Sequence, residues 1–125
     1  MTTKEVANRL VAICRTGEFN KAYDELFAVD AQAIEPPGAN APELVKGLDE
    51  LRKKSQQFGE SLEEVHHIEV SEPLVADNFF SVRLVMDASF KGFGRSKMEE
   101  LCLYEVRGGK IVKEQFFYTP QMAEA

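Results

Sequence analysis

Between residues 80 and 90 every second position is apolar: Phe80, Val82, Leu84, Met86, Ala88 and Phe90. A period of two over that length is a β-strand with one buried face, and nothing helical reproduces it. The strand has close neighbours. Asp77-Asn78 before it is a two-residue hairpin signal, and Gly92-Phe93-Gly94 turns the chain after it. Met98 to Arg107 reads as the next strand, Gly108-Gly109 as a tight turn, and Ile111 to Thr119 as the last strand. Val65 to Ala76 is rich in β-branched residues, with Pro73 marking a bulge or a strand edge. Turns this short force sequential strands to pair as antiparallel hairpins.

Upstream the period is helical. Thr2 and Glu5 have capping-box spacing, and Val6, Leu10 and Cys14 then recur every fourth residue up to a stop at Gly17. Phe19, Ala22, Tyr23, Leu26 and Phe27 predict a second, short helix. Gln32 to Glu35 reads as a short extended stretch, ended by Pro36-Pro37-Gly38. A third helix runs from Gly47 with Leu48, Leu51, Ser55 and Phe58 on one face. Helices first and strands later imply an α+β fold, with N-terminal helices packed on an antiparallel sheet. The 125 residues suit one domain, residues 1–125, with no repeat and no linker.

Charge and cysteine usage narrow the partners. The net charge of −6 argues against nucleic acid and anionic membrane, both of which require a basic surface. The opening MTTKEVANRL lacks a signal-peptide h-region, and no apolar run is long enough to span a bilayer. Cys14 and Cys102 sit in apolar periodic segments, which predicts buried free thiols and a reducing cytoplasm.

Three stretches, FNKAYDELFAVDAQAIEPPG, VKGLDELRKKSQQF and LCLYEVRGGKIVKEQFFY, give the chain a familiar layout. In this order and spacing it resembles the nuclear transport factor 2-like superfamily, which includes SnoaL-like polyketide cyclases and ketosteroid isomerases. The resemblance implies a strongly curved, cone-like sheet partly closed by helices, with a ligand pocket at its mouth. It also implies a homodimer formed through the outer sheet face. No cofactor is implied. The fold hosts enzymes, binders and transport factors alike, so chemistry has to be argued from residues.

Glu35 is the sharpest candidate. The resemblance places it where isomerases keep the carboxylate that abstracts a proton beside a carbonyl. An apolar wall makes a carboxylate a base near neutral pH, and Ile34, Phe27 and Phe58 are available to build one. Glu100 is the second, near the position of an isomerase's protonated acid, with Glu99 as its alternative if the alignment slips by one. Alternation puts Glu100 on one strand face with Cys102, Tyr104 and Val106. Two such carboxylates in a dry pocket divide acid and base roles; two surface glutamates do nothing of the kind. The match to isomerases breaks at their main oxyanion donor, a tyrosine of the first helix, where this chain has Leu10. Supporting tyrosine positions fall on or near Phe27 and Ser55. Losing such a donor costs about 10²–10³ in rate, which excludes steroid isomerisation.

Other residues carry weaker signals. Adjacent strand residues point to opposite faces, so His66 and His67 are not expected to share a metal ion, and no metal site is expected. One of them, His66, is either a pocket acid–base group or a polar surface residue. Tyr23 and Tyr104 offer hydroxyls to a ligand or serve the core. Gln115 stands where SnoaL-like chains often place a large aromatic, which makes the pocket wider or more polar. Phe116, Phe117 and Tyr118 cover both sheet faces, so a dimer partner or a helix must bury one side. Gly92-Phe93-Gly94 is no dinucleotide loop, and neither a Walker loop nor a GxSxG elbow is present. Three readings remain open. One is a cofactor-free isomerase, cyclase, dehydratase or hydrolase acting on a small apolar carbonyl compound; the others are a non-catalytic binder and an interaction scaffold.

Overall fold

The computed structural model describes residues 1–39 and 41–120. Three helices, α1 (Thr3–Arg15), α2 (Phe19–Leu26) and α3 (Leu48–Ser61), accompany seven strands. The strands are β1 (Phe27–Ile34), β2 (Leu44–Lys46), β3 (Leu62–Val70), β4 (Leu74–Ala76), β5 (Phe79–Phe90), β6 (Gly94–Arg107) and β7 (Lys110–Phe117).

The helix signals act as read. Thr2 Oγ1 accepts from the Glu5 amide at 3.1 Å, and Glu5 accepts from the Thr2 amide at 2.9 Å, closing the capping box. The stripe Val6, Leu10, Val11, Cys14 is buried. Gly17 ends the turn at φ +82, a conformation that costs glycine no Cβ clash.

The sheet runs β2-β1-β7-β6-β5-β3, with β4 pairing to β5 beside β3, and it is curved and unclosed. α1 packs on β3 and β5 and α3 on β1 and β2, so all the helices lie on one face, called inner below. One shared core lies between these layers, with Phe80, Leu10, Leu26, Leu51 and Ile111 fully buried. The long alternating strand pairs with β6 along its whole length, from Phe79↔Glu105 to Phe90↔Gly94.

Four details differ from the sequence reading. The sheet is mixed, because β1 lies parallel to β7 with Ala33 beside Glu114. Hairpin logic sees only neighbours in sequence, and a parallel pair needs a long connection. β1 starts at Phe27, directly after α2, so Phe27 is a strand residue buried in the core. β2 is a three-residue edge strand, too short to leave a periodic signal. Pro73 splits the predicted stretch of residues 65–76 into β3 and β4, both held by β5.

A bulge in β3 matters for the histidines. The register steps from Val65↔Ala88 to His67↔Asp87, so one extra residue enters β3 at His66. His66 bonds Ser89 Oγ at 2.7 Å and lies 3.3 Å from Glu64, while His67 lies 3.6 Å from Glu69. Both rings therefore stand on the outer face, among Asp87, Arg95 and Arg83.

Candidate functional site

On the inner face, the end of β1 and the middles of β6 and β7 carry acidic side chains, Glu35, Glu100 and Glu114. Glu35 follows β1, where the backbone leaves the sheet for Pro36-Pro37, and its side chain turns inward like those of Ala31 and Ala33. It is 9% exposed. Lys54 donates to Glu35 Oε1 at 2.6 Å, and the Tyr118 hydroxyl donates to Oε2 at 2.7 Å. The Lys54 ammonium also stands 5.0 Å from the centre of the Phe116 ring, a cation–π contact.

Two further acids share this face. Glu114 is 3% exposed and accepts from the Tyr23 hydroxyl at 2.6 Å. Burial pushes its carboxyl up to about 7, against the pull of the Tyr23 hydrogen bond and the Lys54 charge. Glu100 is half-buried and also raised to about 7, first by burial and then by the Glu35 charge. Its only described side-chain contact is the Cys102 thiol at 3.7 Å. Burial raises the Cys102 and Tyr104 side chains too, keeping them neutral. Glu99 points the other way and pairs with Arg83 on the outer face.

The sequence candidates thus divide. Glu35 and Glu100 share one face, and the Glu35 charge helps to raise Glu100. Tyr23 reaches that face through Glu114. Tyr104 is core, stacked on Phe80 with ring centres 4.8 Å apart, and Phe27 is core beside Tyr23 at 4.5 Å. Phe58 packs on Phe90 at the end of α3, 6.0 Å between centres, and builds no wall at Glu35. His66 lies on the outer face because of the bulge. Gln115 pairs with Leu103, which puts it on the outer side of β7, where it borders the same rim groove as Glu35.

Reading the sequence by itself passed over Lys54, Glu114 and Tyr118. Each carried a signal. Lys54 interrupts the inward stripe of α3 between Leu51 and Phe58 at three- and four-residue spacing. Glu114, Phe116 and Tyr118 repeat every second residue and so share a face.

A groove of about 350 Å³ lies at the rim where β1 and β7 end, bordered by Glu35, Pro36, Leu44, Gln115, Phe116 and Phe117 among others. A second, of about 290 Å³, lies across Phe117 from it, between Arg83, Glu99, Glu100 and Leu101. Among the described residues no group of three His, Cys, Asp or Glu side chains is arranged to hold a metal ion. Chemically, the cluster offers three carboxyls, one ammonium and two phenols: a set able to take, hold and return a proton.

A helix-covered, curved, unclosed mixed sheet defines an α+β fold of the cystatin-like, nuclear transport factor 2-like type. The SnoaL-like domain family matches residues 1–118, and the chain belongs to that family. A candidate SnoaL-like polyketide cyclase from Mesorhizobium loti, also named a carbohydrate phosphatase, is 33% identical. That match covers 94% of this chain and 100% of the other, with a TM-score of 0.86. A cystatin-like-fold protein of unknown function from Xanthomonas campestris shares the fold at 15% identity, 94% and 90% coverage and TM-score 0.79. A hypothetical protein from Catenulispora acidiphila with a ketosteroid isomerase-like fold, in complex with trimethylamine, does so at 19%, 92% and 85%, and 0.73. No curated protein is significantly similar to the chain. No helix among the described residues is long and apolar enough to cross a membrane.

Proposed function

We propose that the chain is a cofactor-independent acid–base enzyme of isomerase or cyclase type, acting on a small, mostly apolar carbonyl compound. Glu35 is the base. It takes a proton from the carbon beside the carbonyl, the C–H electron pair becomes a C=C bond, and the carbonyl π pair moves to oxygen. Glu100, which holds a proton near neutral pH, donates a hydrogen bond to that oxygen, and the Tyr118 hydroxyl is the second donor. Lys54 balances the Glu35 charge. Where a C=C adjoins the enolate, the proton returns from Glu35 to its far carbon; otherwise the enolate carbon attacks a second carbonyl of the substrate, whose π pair moves to oxygen and takes the proton from Glu35, and no outside reactant is needed.

The observation that carries this reading is the fully engaged Glu35 carboxylate, with an ammonium and a phenol on its two oxygens and a second acid beside it. Buried charge is costly to keep, and clusters of perturbed acids concentrate at functional sites. The rim groove bordering Glu35 has room for the apolar body of a small substrate. Leu10, buried at 2% exposure, offers no proton, so the donors come from β6 and from the residue after β7 instead of the first helix.

Incubation with simple ketones such as 1-tetralone in D₂O tests it. Deuterium is expected beside the carbonyl, read by mass spectrometry; Glu35→Gln is expected to abolish it, and Glu100→Leu, which removes the donor, to slow it about 10²-fold or more. A ketone that binds without exchange would leave only the binder reading.

The outer face supports a second part of the proposal, a homodimer. Leu101 and Phe117, 55% and 46% exposed, stand side by side on β6 and β7 with Leu103 next to them, and no helix covers them. A second copy of the chain is the partner of matching shape and chemistry, since the Arg83–Glu99 pair at their edge complements itself under a two-fold axis. The acidic surface disfavours nucleic acid and membrane as partners. Cys14 and Cys102 are both free and buried, in keeping with a cytoplasmic location.

A further inference from the structure

Three residues follow the last strand beside Glu35. The β6–β7 ladder ends at Leu101↔Phe117, and Tyr118, Thr119 and Pro120 belong to no strand. They nonetheless run across the site. Tyr118 bonds Glu35 at 2.7 Å, and its phenol is held neutral by burial and by the charges of both Glu35 and Glu100, so it stands near the two acids. Pro120 Cγ lies 4.0 Å from where a Cβ on Gly38 would stand, so the segment crosses the Pro36–Ala39 loop. Beneath it Glu35 is 9% exposed and the Lys54 side chain 23%, although Lys53, its neighbour in sequence, is 68% exposed.

We propose that Tyr118–Pro120 is a strap latched over the site by the Tyr118–Glu35 hydrogen bond, and that it lifts to admit substrate while the sheet stays intact. Lifting breaks the Tyr118–Glu35 hydrogen bond and no ladder pair. The same event frees Glu35 Oε2 to act as base and turns the Tyr118 hydroxyl toward whatever enters. The latch and the donor of the proposed reaction are then one group, so closing over a substrate restores a partner for the phenol. The strap has a gating role only if the cluster is the reaction site, whereas its opening is measurable without any turnover.

The test is acetylation of the full chain by N-hydroxysuccinimide acetate, with Lys54 followed against exposed Lys53 by peptide mass spectrometry. The buried thiols Cys14 and Cys102 serve as reporters of global unfolding through their reaction with a disulfide reagent. Tyr118→Phe removes the latch and keeps the ring. A hydrogen bond to a charged group shifts an opening equilibrium on the order of tenfold or more. Lys54 is therefore expected to label about tenfold faster relative to Lys53, with both thiols still protected. A chain ending at Phe117 is expected to behave the same way. An unchanged Lys54 ratio in both variants would overturn the strap, and so would Lys54 and thiol reactivity rising together. Absence of deuterium exchange in the wild type would instead count against the reaction and leave the strap standing.

Discussion

Glu114 makes the pH dependence of stability a sharp test of the buried acid cluster. It is 3% exposed, its carboxyl is raised from 4.5 to about 7, and burial is the largest cause. In the unfolded chain it ionises at its ordinary value, while in the fold it keeps its proton. The native state therefore binds more protons than the unfolded state between those two values, and stability falls as pH rises. It is fully present below about pH 4.5, declines through the window, and levels off above about 7, where both states are ionised. A difference of about 2.5 pKa units at 1.36 kcal/mol each is about 3 kcal/mol. Glu114→Gln is the matching perturbation. It cannot ionise, and its amide oxygen still accepts from the Tyr23 hydroxyl. Urea unfolding at four pH values from about 5 to 8 should show the wild type losing stability and the variant flatter by about 3 kcal/mol. Some slope should survive in the variant, because Glu100 is raised in the same direction. Equal slopes in the two proteins would mean that Glu114 is ionised inside the fold or solvated, and the assignment of a proton to this cluster would fail.

The remaining predictions concern the neighbours of that acid. Tyr23→Phe strips Glu114 of its hydrogen-bond donor and should cost about 2 kcal/mol in urea unfolding, with the deficit growing as pH rises through 7. Lys54→Met leaves Glu35 buried without its cation; a loss of about 3 kcal/mol is expected, and a neutral result would show that the pair is solvent-screened. Phe117→Glu should convert a two-chain mass to a one-chain mass in light scattering at about tens of micromolar, the range in which a specific interface of moderate affinity is populated. A wild type already monomeric there would remove the outer-face dimer.

The fold was legible where neighbours in sequence are neighbours in space. The capping box, the α1 stripe, the β5 alternation and the turns at Asp77-Asn78 and Gly108-Gly109 are local physics, and each forms in place. The parallel β1–β7 pair was not legible, because it joins residues some eighty positions apart and no local period encodes it. That one pairing sets Ala33 beside Glu114 and so carries Glu35, two residues on, into reach of β7. The same limit explains the site: Glu35 and Glu100 could be nominated, but the cation on Glu35 sits on α3 and its phenol beyond the end of β7.

His66 shows the converse, where a sound local rule was defeated locally. Strict alternation puts His66 and His67 on opposite faces, which leaves one of them for the interior. The bulge adds one residue between the pairs Val65↔Ala88 and His67↔Asp87, and both imidazoles end on the outer face with Glu64, Glu69 and Ser89 as partners. The inner face therefore has no imidazole at this end, and every proton it handles near neutral pH must sit on a carboxyl. That is why two acids raised to about 7 matter. Desolvation has moved glutamates into the range an imidazole normally covers, and a residue type that ionises well below neutrality in water becomes able to do acid–base work.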